Sequence, residues 1–278
     1  RIGAGGAGGT ITLDSVTANL VTFSNFSGNY TLTSGSLMVV SNLTVANSAG
    51  SVVLGYIIGG PGGVTMDSPG SLRLYGLSPN AYSGGTIINR GTLIWGTMVN
   101  GISPDCNYAL GTGPVTLNSG ATLQFERVNA TNALILNGGT FYSQNGWGVT
   151  WKGPVTVNSN TTLRADYRME LSGTISGAGG FTKTGGNTVT LSGSNTYTGA
   201  SVVQAGTLSC SKSASLGSGA LRISNGAVVN LNYSGTRTIT ALTLGGTNMA
   251  LGVYGSTNSS GPNKDSHFTG AGTVTVNR

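Results

Sequence analysis

A stretch of about thirty residues returns some 115 positions after its first appearance in this chain. The second copy reads GGFTKTGGNTVTLSGSNTYTGASVVQAGTLSC from Gly179 to Cys210, and the first reads GGVTMDSPGSLRLYGLSPNAYSGGTIINRGTLIWG from Gly62 to Gly96. Three anchors align: Gly62-Gly63 with Gly179-Gly180, Tyr82-Ser83-Gly84 with Tyr197-Thr198-Gly199, and Gly91-Thr92-Leu93 with Gly206-Thr207-Leu208. A fourth follows, Leu110-Gly111-Thr112-Gly113 with Leu216-Gly217-Ser218-Gly219, so the copies occupy about 62–123 and 179–229. An enzyme pocket is assembled once, from residues that differ. Self-similar short apolar–polar runs between glycines describe stacked rungs instead.

The rest of the chain speaks the same vocabulary. Of 278 residues 48 are Gly, with no G-X-Y period, which excludes collagen, and 7% are charged against an ordinary share of about 25%. With 38% hydrophobic residues the chain is also no solvated disordered tail. Short alternating runs such as Val115-Thr116-Leu117 and Val155-Thr156-Val157 recur from end to end, separated by Asn-Ser-Gly and Asn-Gly-Gly turn clusters. No segment carries a 3.6-residue apolar period over ten residues, so the class is all-β. A sandwich or barrel closes after seven to ten strands or so. More than about twenty short strands, three to a coil of roughly 20 to 25 residues, predict a three-sided parallel β-helix (a β-solenoid) of about 12 rungs, one domain spanning 1–278.

The motifs in the second copy have a relative. Thr182-Lys183-Thr184-Gly185, Val189-Thr190-Leu191-Ser192-Gly193, Asn195-Thr196-Tyr197-Thr198-Gly199 and Gly206-Thr207-Leu208 resemble the autotransporter-associated β-strand repeat, also called the passenger-associated transport repeat. The first copy keeps Gly63, Thr65, Leu72, Leu74, Gly76, Tyr82, Gly84 and Gly91-Thr92-Leu93. The resemblance implies a right-handed parallel β-helix, secreted by a bacterium and displayed at the cell surface, with no catalytic residue belonging to the repeat. An autotransporter ends in a membrane β-barrel of long alternating strands. The departure of this chain from that pattern predicts a secreted solenoid exported by another route. The opening Arg1-Ile2-Gly3-Ala4 has no apolar signal core and reads as a processed start.

Chemistry was sought in the titratable residues. The net charge of +6 comes from scattered basic residues without a stripe or interleaved aromatics, which argues against nucleic-acid binding. No run of 18 apolar residues predicts membrane insertion. The acids are Asp14, Asp67, Asp105, Glu126, Asp166, Glu170 and Asp265. Read as one strand, 163–171 puts Arg164, Asp166, Arg168 and Glu170 on a single solvated face as an ion-pair row. Asp166 and Glu170 would then stand about 13 Å apart, too far for a glycosidase pair. His267, the single histidine, follows Asp265 by two positions and reads as a loop pair. Cys210 shares the face of Leu208 and reads as a buried small hydrophobe, Cys106 as a loop thiol. No metal-type spacing of Cys and His exists, so no metal, cofactor or catalytic residue is expected. Tyr142, Trp147 and Trp151, grouped around Asn145-Gly146, form a candidate platform for stacking sugar rings.

The ends decide the functional expectation. The candidate strands Thr10-Ile11-Thr12-Leu13 and Thr273-Val274-Thr275-Val276 lie near the two termini with no evident cap. Bare edges invite head-to-tail stacking, which does not close and grows filaments. The expected function is therefore an extracellular structural protein, a filament or surface-fibre subunit whose partner is itself. The alternatives are an adhesin-type stalk that binds surface polysaccharide and a β-helix polysaccharide lyase or hydrolase.

Overall fold

The computed structural model describes residues 1–3, 5–46, 50–55, 57–74, 80–96 and 109–277. Apart from one short 3-10 turn, Ser213–Ser215, the regular elements are all strands. Two compact units divide the chain, Arg1–Ile135 and Leu136–Arg278.

In the first unit, one ladder stacks six parallel levels: Gly9–Thr12, Asn29–Thr33, Ser51–Leu54, the second part of Gly63–Leu74, the second part of Thr86–Trp95, and Ala121–Ala130. Two further sides complete each coil. Ser15–Phe23 pairs with Ser36–Val45 over both its halves, bending at a register shift between Ala18 and Leu20. In the second unit the corresponding ladder runs Thr140–Trp151, Thr161–Ala165, Phe181–Thr184, Ser201–Val203, Leu221–Ile223 and Leu242–Leu244, again six levels. Phe181 lies opposite Ser201 and Ser201 opposite Leu221, 20 residues per coil. The expected three-sided parallel β-solenoid is what the chain forms.

Its core follows from strand parity. Inward positions alternate along each strand, and stacking puts like over like: Val189 on Leu208 on Val229, Leu191 on Cys210 on Leu231, all buried. Burial pushes the Cys210 thiol up to about 12, so it stays a neutral packing group. Cys106 lies outside the described residues.

Two expectations fail here. The segment 163–171 is not one strand: Thr161–Ala165 ends, the chain turns a corner, and Met169–Leu171 opens the next side. The backbone N–H groups of Asp166 and Tyr167 both donate to Ser143 O, which fixes that corner. Arg164 pairs with Asp166 at 2.7 Å, while Glu170 sits one face further on and accepts from Ser192 Oγ at 2.6 Å.

The second failure concerns the last strand. Thr273–Val276 is no edge, because it pairs in parallel with Thr236–Ile239 on one side and antiparallel with Gly252–Gly255 on the other. Asn263–Lys264 adds a further strand beyond Gly252–Gly255. Thr247–Asn248 folds back antiparallel on Leu242–Leu244, and Phe268 covers Val229. Antiparallel returns thus close this end of the second unit. The first coil differs. Gly9–Thr12 pairs with Asn29–Thr33, and no pairing appears on its other side among the described residues. Ile2 bridges Phe23, yet Val16 and Leu20 stay 38% and 58% exposed.

Candidate functional site

The residues with the most specific surroundings are those of the two repeats, and the sequence dictates why. After two strands (64–66 and 71–74, or Phe181–Thr184 and Thr188–Leu191), each copy turns through an Asn-x-Tyr-x-Gly corner. Both asparagines are buried, 3% exposed each. Asn80 Oδ1 accepts from Ile58 N at 2.8 Å in the coil before, and its Nδ2 donates to Ala109 O at 2.7 Å in the coil after. Asn195 does the same with Ile175 N at 2.8 Å and Ser215 O at 2.6 Å. A side-chain amide carries one donor face and one acceptor face, so it replaces a peptide group in the ladder where the backbone turns away. Each Asn thereby ties three successive coils.

The tyrosine two positions on points inward and is fully buried in both copies. Tyr82 Oη shares a 2.6 Å hydrogen bond with Thr86 Oγ1, and Tyr197 Oη a 2.8 Å bond with Ser201 Oγ. Burial raises both phenols, Tyr197 to about 12, so they stay protonated. The ring of Tyr197 stands edge-on to Phe181 at 5.1 Å. The glycine after it is required by close approach. A Cβ at Gly84 would lie 2.6 Å from the carbonyl carbon of Gly62, and one at Gly199 would lie 2.2 Å from that of Gly179. Backbone rests directly on backbone at this corner.

One inward position changes in chemical character between the copies. Where the first has Met66, the second has Lys183, an inward residue between Leu163 and Val203 and only 1% exposed. Its Nζ donates to Thr184 O at 3.0 Å, Gly185 O at 2.6 Å and Ala205 O at 2.9 Å, which uses all three protons. Burial pushes the Lys183 pKa down to about 8, with the Asp166 carboxylate pulling the other way.

Several of the acidic groups are tied into local structure. Glu126, 6% exposed, pairs with Arg73 at 3.0 Å, and Asp67 lies within Gly63–Leu74, paired with Arg90 at 2.7 Å. Asp265 Oδ1 accepts from His267 N at 2.8 Å and meets its Nδ1 at 2.6 Å, a local turn in the closing sheet region. Asp105 lies outside the described residues. Among the described residues no three His, Cys, Asp or Glu side chains come together as a metal site, and no helix is long and apolar enough to cross a membrane.

The sugar-stacking trio does not form as expected. Trp151 is fully buried, edge-on to Phe141 at 5.6 Å, because its strand parity turns it into the core. Tyr142 faces outward, but Arg164 lies over its ring at 4.4 Å and its hydroxyl donates to Asp166 Oδ2 at 2.8 Å. The Arg164 hydrogen bond holds the Asp166 carboxyl below its usual range. The side chain of Trp147 lies outside the described residues. Of the expected assembly edges, Thr10, Ile11 and Thr12 lie on a strand paired on one side among the described residues and Leu13 just follows it, whereas Thr273, Val274, Thr275 and Val276 are enclosed. In the sequence Asn195 and Lys183 stand out only as motif residues without a role, and Asn80 not at all. The signal for the asparagines was present, since each stands two residues before the aligned tyrosine.

Comparison with known proteins agrees with this geometry. The family model of the passenger-associated-transport-repeat matches residues 64–94 and 181–209. No curated protein and no solved structure matches the chain. The chain carries two passenger-associated transport repeats, each wound into the coils around an Asn–Tyr–Gly corner, and repeat and solenoid together fit an autotransporter passenger domain.

Proposed function

We propose that the chain is an exported, non-catalytic passenger segment, a stiff β-solenoid that stands outside a bacterial cell and acts by its surface. The observation that carries this reading is the placement of both transport repeats inside the stacked coils, where their defining residues are spent on joining neighbouring turns. Side chains committed to the stack are not free for turnover. Fusing the chain between an export signal and an outer-membrane barrel in a Gram-negative host tests it. Protease added to intact cells should reach the chain at the surface; accumulation inside the envelope, or hydrolysis of polysaccharide by the purified protein, would sink the reading.

A second reading, a homopolymer growing head to tail, is favoured by the unpaired side of Gly9–Thr12 and by the exposure of Val16 and Leu20. It requires a receiving edge. Thr273–Val276 has both sides taken, so growth would begin with release of Gly252–Gly255. Negative-stain microscopy of the purified chain decides: continuous fibres support growth, discrete particles at all concentrations end it.

A further inference from the structure

The glycine corner of the second repeat has an outer side as well as an inner one. On that side a trough of about 490 Å³ runs across successive coils. Its floor is Gly180, Gly199 and Ala200, and its walls carry Asn158 and Asn160 on one side and Val202 and Arg222 on the other. Glycine at the corner is already explained by backbone stacking, so the floor alone indicates nothing. The walls are a separate matter. The Arg222 side chain is exposed and makes no hydrogen bond or ion pair among the described residues, and no carboxylate lines the trough.

The first repeat provides a control inside the same chain. There the aligned corner is Gly84-Gly85 followed by Pro114 and Thr116, with the Pro114 ring against Gly85. The same stack is thus built without the cation, and nothing in the corner geometry demands Arg222. Its position opposite Val202 and Thr243 on the outer face is shared with neutral residues in the coils before and after.

We propose that this trough binds a linear acidic polysaccharide, with a sugar carboxylate on Arg222 and hydroxyls on the remaining amide groups of Asn158 and Asn160, whose Nδ2 atoms also donate to Asn137 Oδ1 at 2.8 Å and Thr182 Oγ1 at 3.0 Å. The chemistry selects this class. Gly180 O and Ala200 O already accept from Thr161 N at 3.1 Å and Phe181 N at 2.9 Å, so the floor offers no free edge to which a peptide strand could add. A nucleic acid neutralises several phosphates on several cations, and the trough supplies one. A floor whose Gly180 and Ala200 carbonyls are already bonded, flanked by amides and a single guanidinium, suits a sugar face with its hydroxyls and one carboxylate. Four coil levels at about 4.8 Å give a run of roughly 14 Å, room for a short stretch of rings.

The inference builds on the extracellular reading, because free acidic polysaccharide is met there, but it is tested on the purified chain alone. Calorimetric titration with oligogalacturonate should give saturable binding, and the neutral methyl ester of the same oligomer should bind at least about tenfold more weakly. Arg222→Gln should lose about tenfold in affinity while its circular dichroism matches the parent, and Asn160→Ala should lose severalfold. Equal binding by Arg222→Gln, equal binding of the ester, or no binding by a folded chain overturns the proposal. So does equal, Arg222-dependent binding of polyglutamate or a DNA oligonucleotide, which would make the trough a general anion site. A chain that reaches the cell surface yet fails to bind refutes this inference and leaves the passenger reading standing.

Discussion

The two repeats solve one problem with partly different residues, and the difference separates what the coil needs from what it tolerates. Both keep a buried Asn that bridges the coils before and after, a buried Tyr bonded to the first hydroxyl of the next strand, and a glycine with no room for a Cβ. They differ in filling. Val64 stands where Phe181 does and Met66 where Lys183 does, with Thr86 in the place of Ser201. The corner is thus a hydrogen-bonding device, while the space inside it admits aliphatic, aromatic or even cationic side chains. Buried polar groups discriminate more sharply than apolar ones because an unmatched donor or acceptor cannot turn to water.

The comparison breaks most visibly at the tyrosines. Tyr82→Ala and Tyr197→Ala should each cost about 3–5 kcal/mol in denaturant unfolding of the chain; a large loss in one copy and none in the other would mean the corner is not a common device. Next in size are Asn80→Ala and Asn195→Ala. Each strands a peptide N–H and a carbonyl in neighbouring coils, for about 2–3 kcal/mol, and amide exchange should quicken at Ile58 and Ile175 respectively. Lys183→Met, which copies the first repeat, should be neutral or stabilising by about 1 kcal/mol, since a buried cation is exchanged for matching apolar volume.

The same substitution carries a pH signature. The folded pKa of Lys183 lies near 8, below its ordinary 10.5, so the folded chain sheds this proton first. Between those values the unfolded chain binds more protons, and stability contributed by this residue rises with pH. Unfolding midpoints measured from pH 7 to 10.5 should therefore show an upward component in the parent that Lys183→Met removes. The smallest effect sharpens the comparison: Tyr82→Phe and Tyr197→Phe remove one buried bond each and should cost about 1 kcal/mol apiece.

The solenoid was legible because its signal is redundant. Parity along each strand placed Val189, Leu208, Leu191 and Cys210 in the core, and the structure has them there. Parity fails at corners. It read Arg164 to Glu170 as one face because nothing in that stretch is a glycine or proline, yet the chain turns at Asp166. The sugar-platform reading needed Trp151 outside although the strand Thr140–Trp151 carries it in, and a lysine at an inward position such as 183 has no apolar signature to reveal it. The closing sheet was invisible for another reason. Thr273–Val276 has the pattern of any outer strand, and its enclosure depends on Gly252–Gly255 returning from about twenty residues earlier, a long-range pairing that local pattern does not encode.

The asparagine bridges have a mechanical consequence. In a stack joined by backbone ladders alone, a coil peeled from the end would break one interface at a time and yield in even steps. Asn80 and Asn195 hold the coil above and the coil below with one side chain, so the turns around each must let go together. Pulled along its axis, each unit should resist in a block at its repeat and unravel smoothly elsewhere.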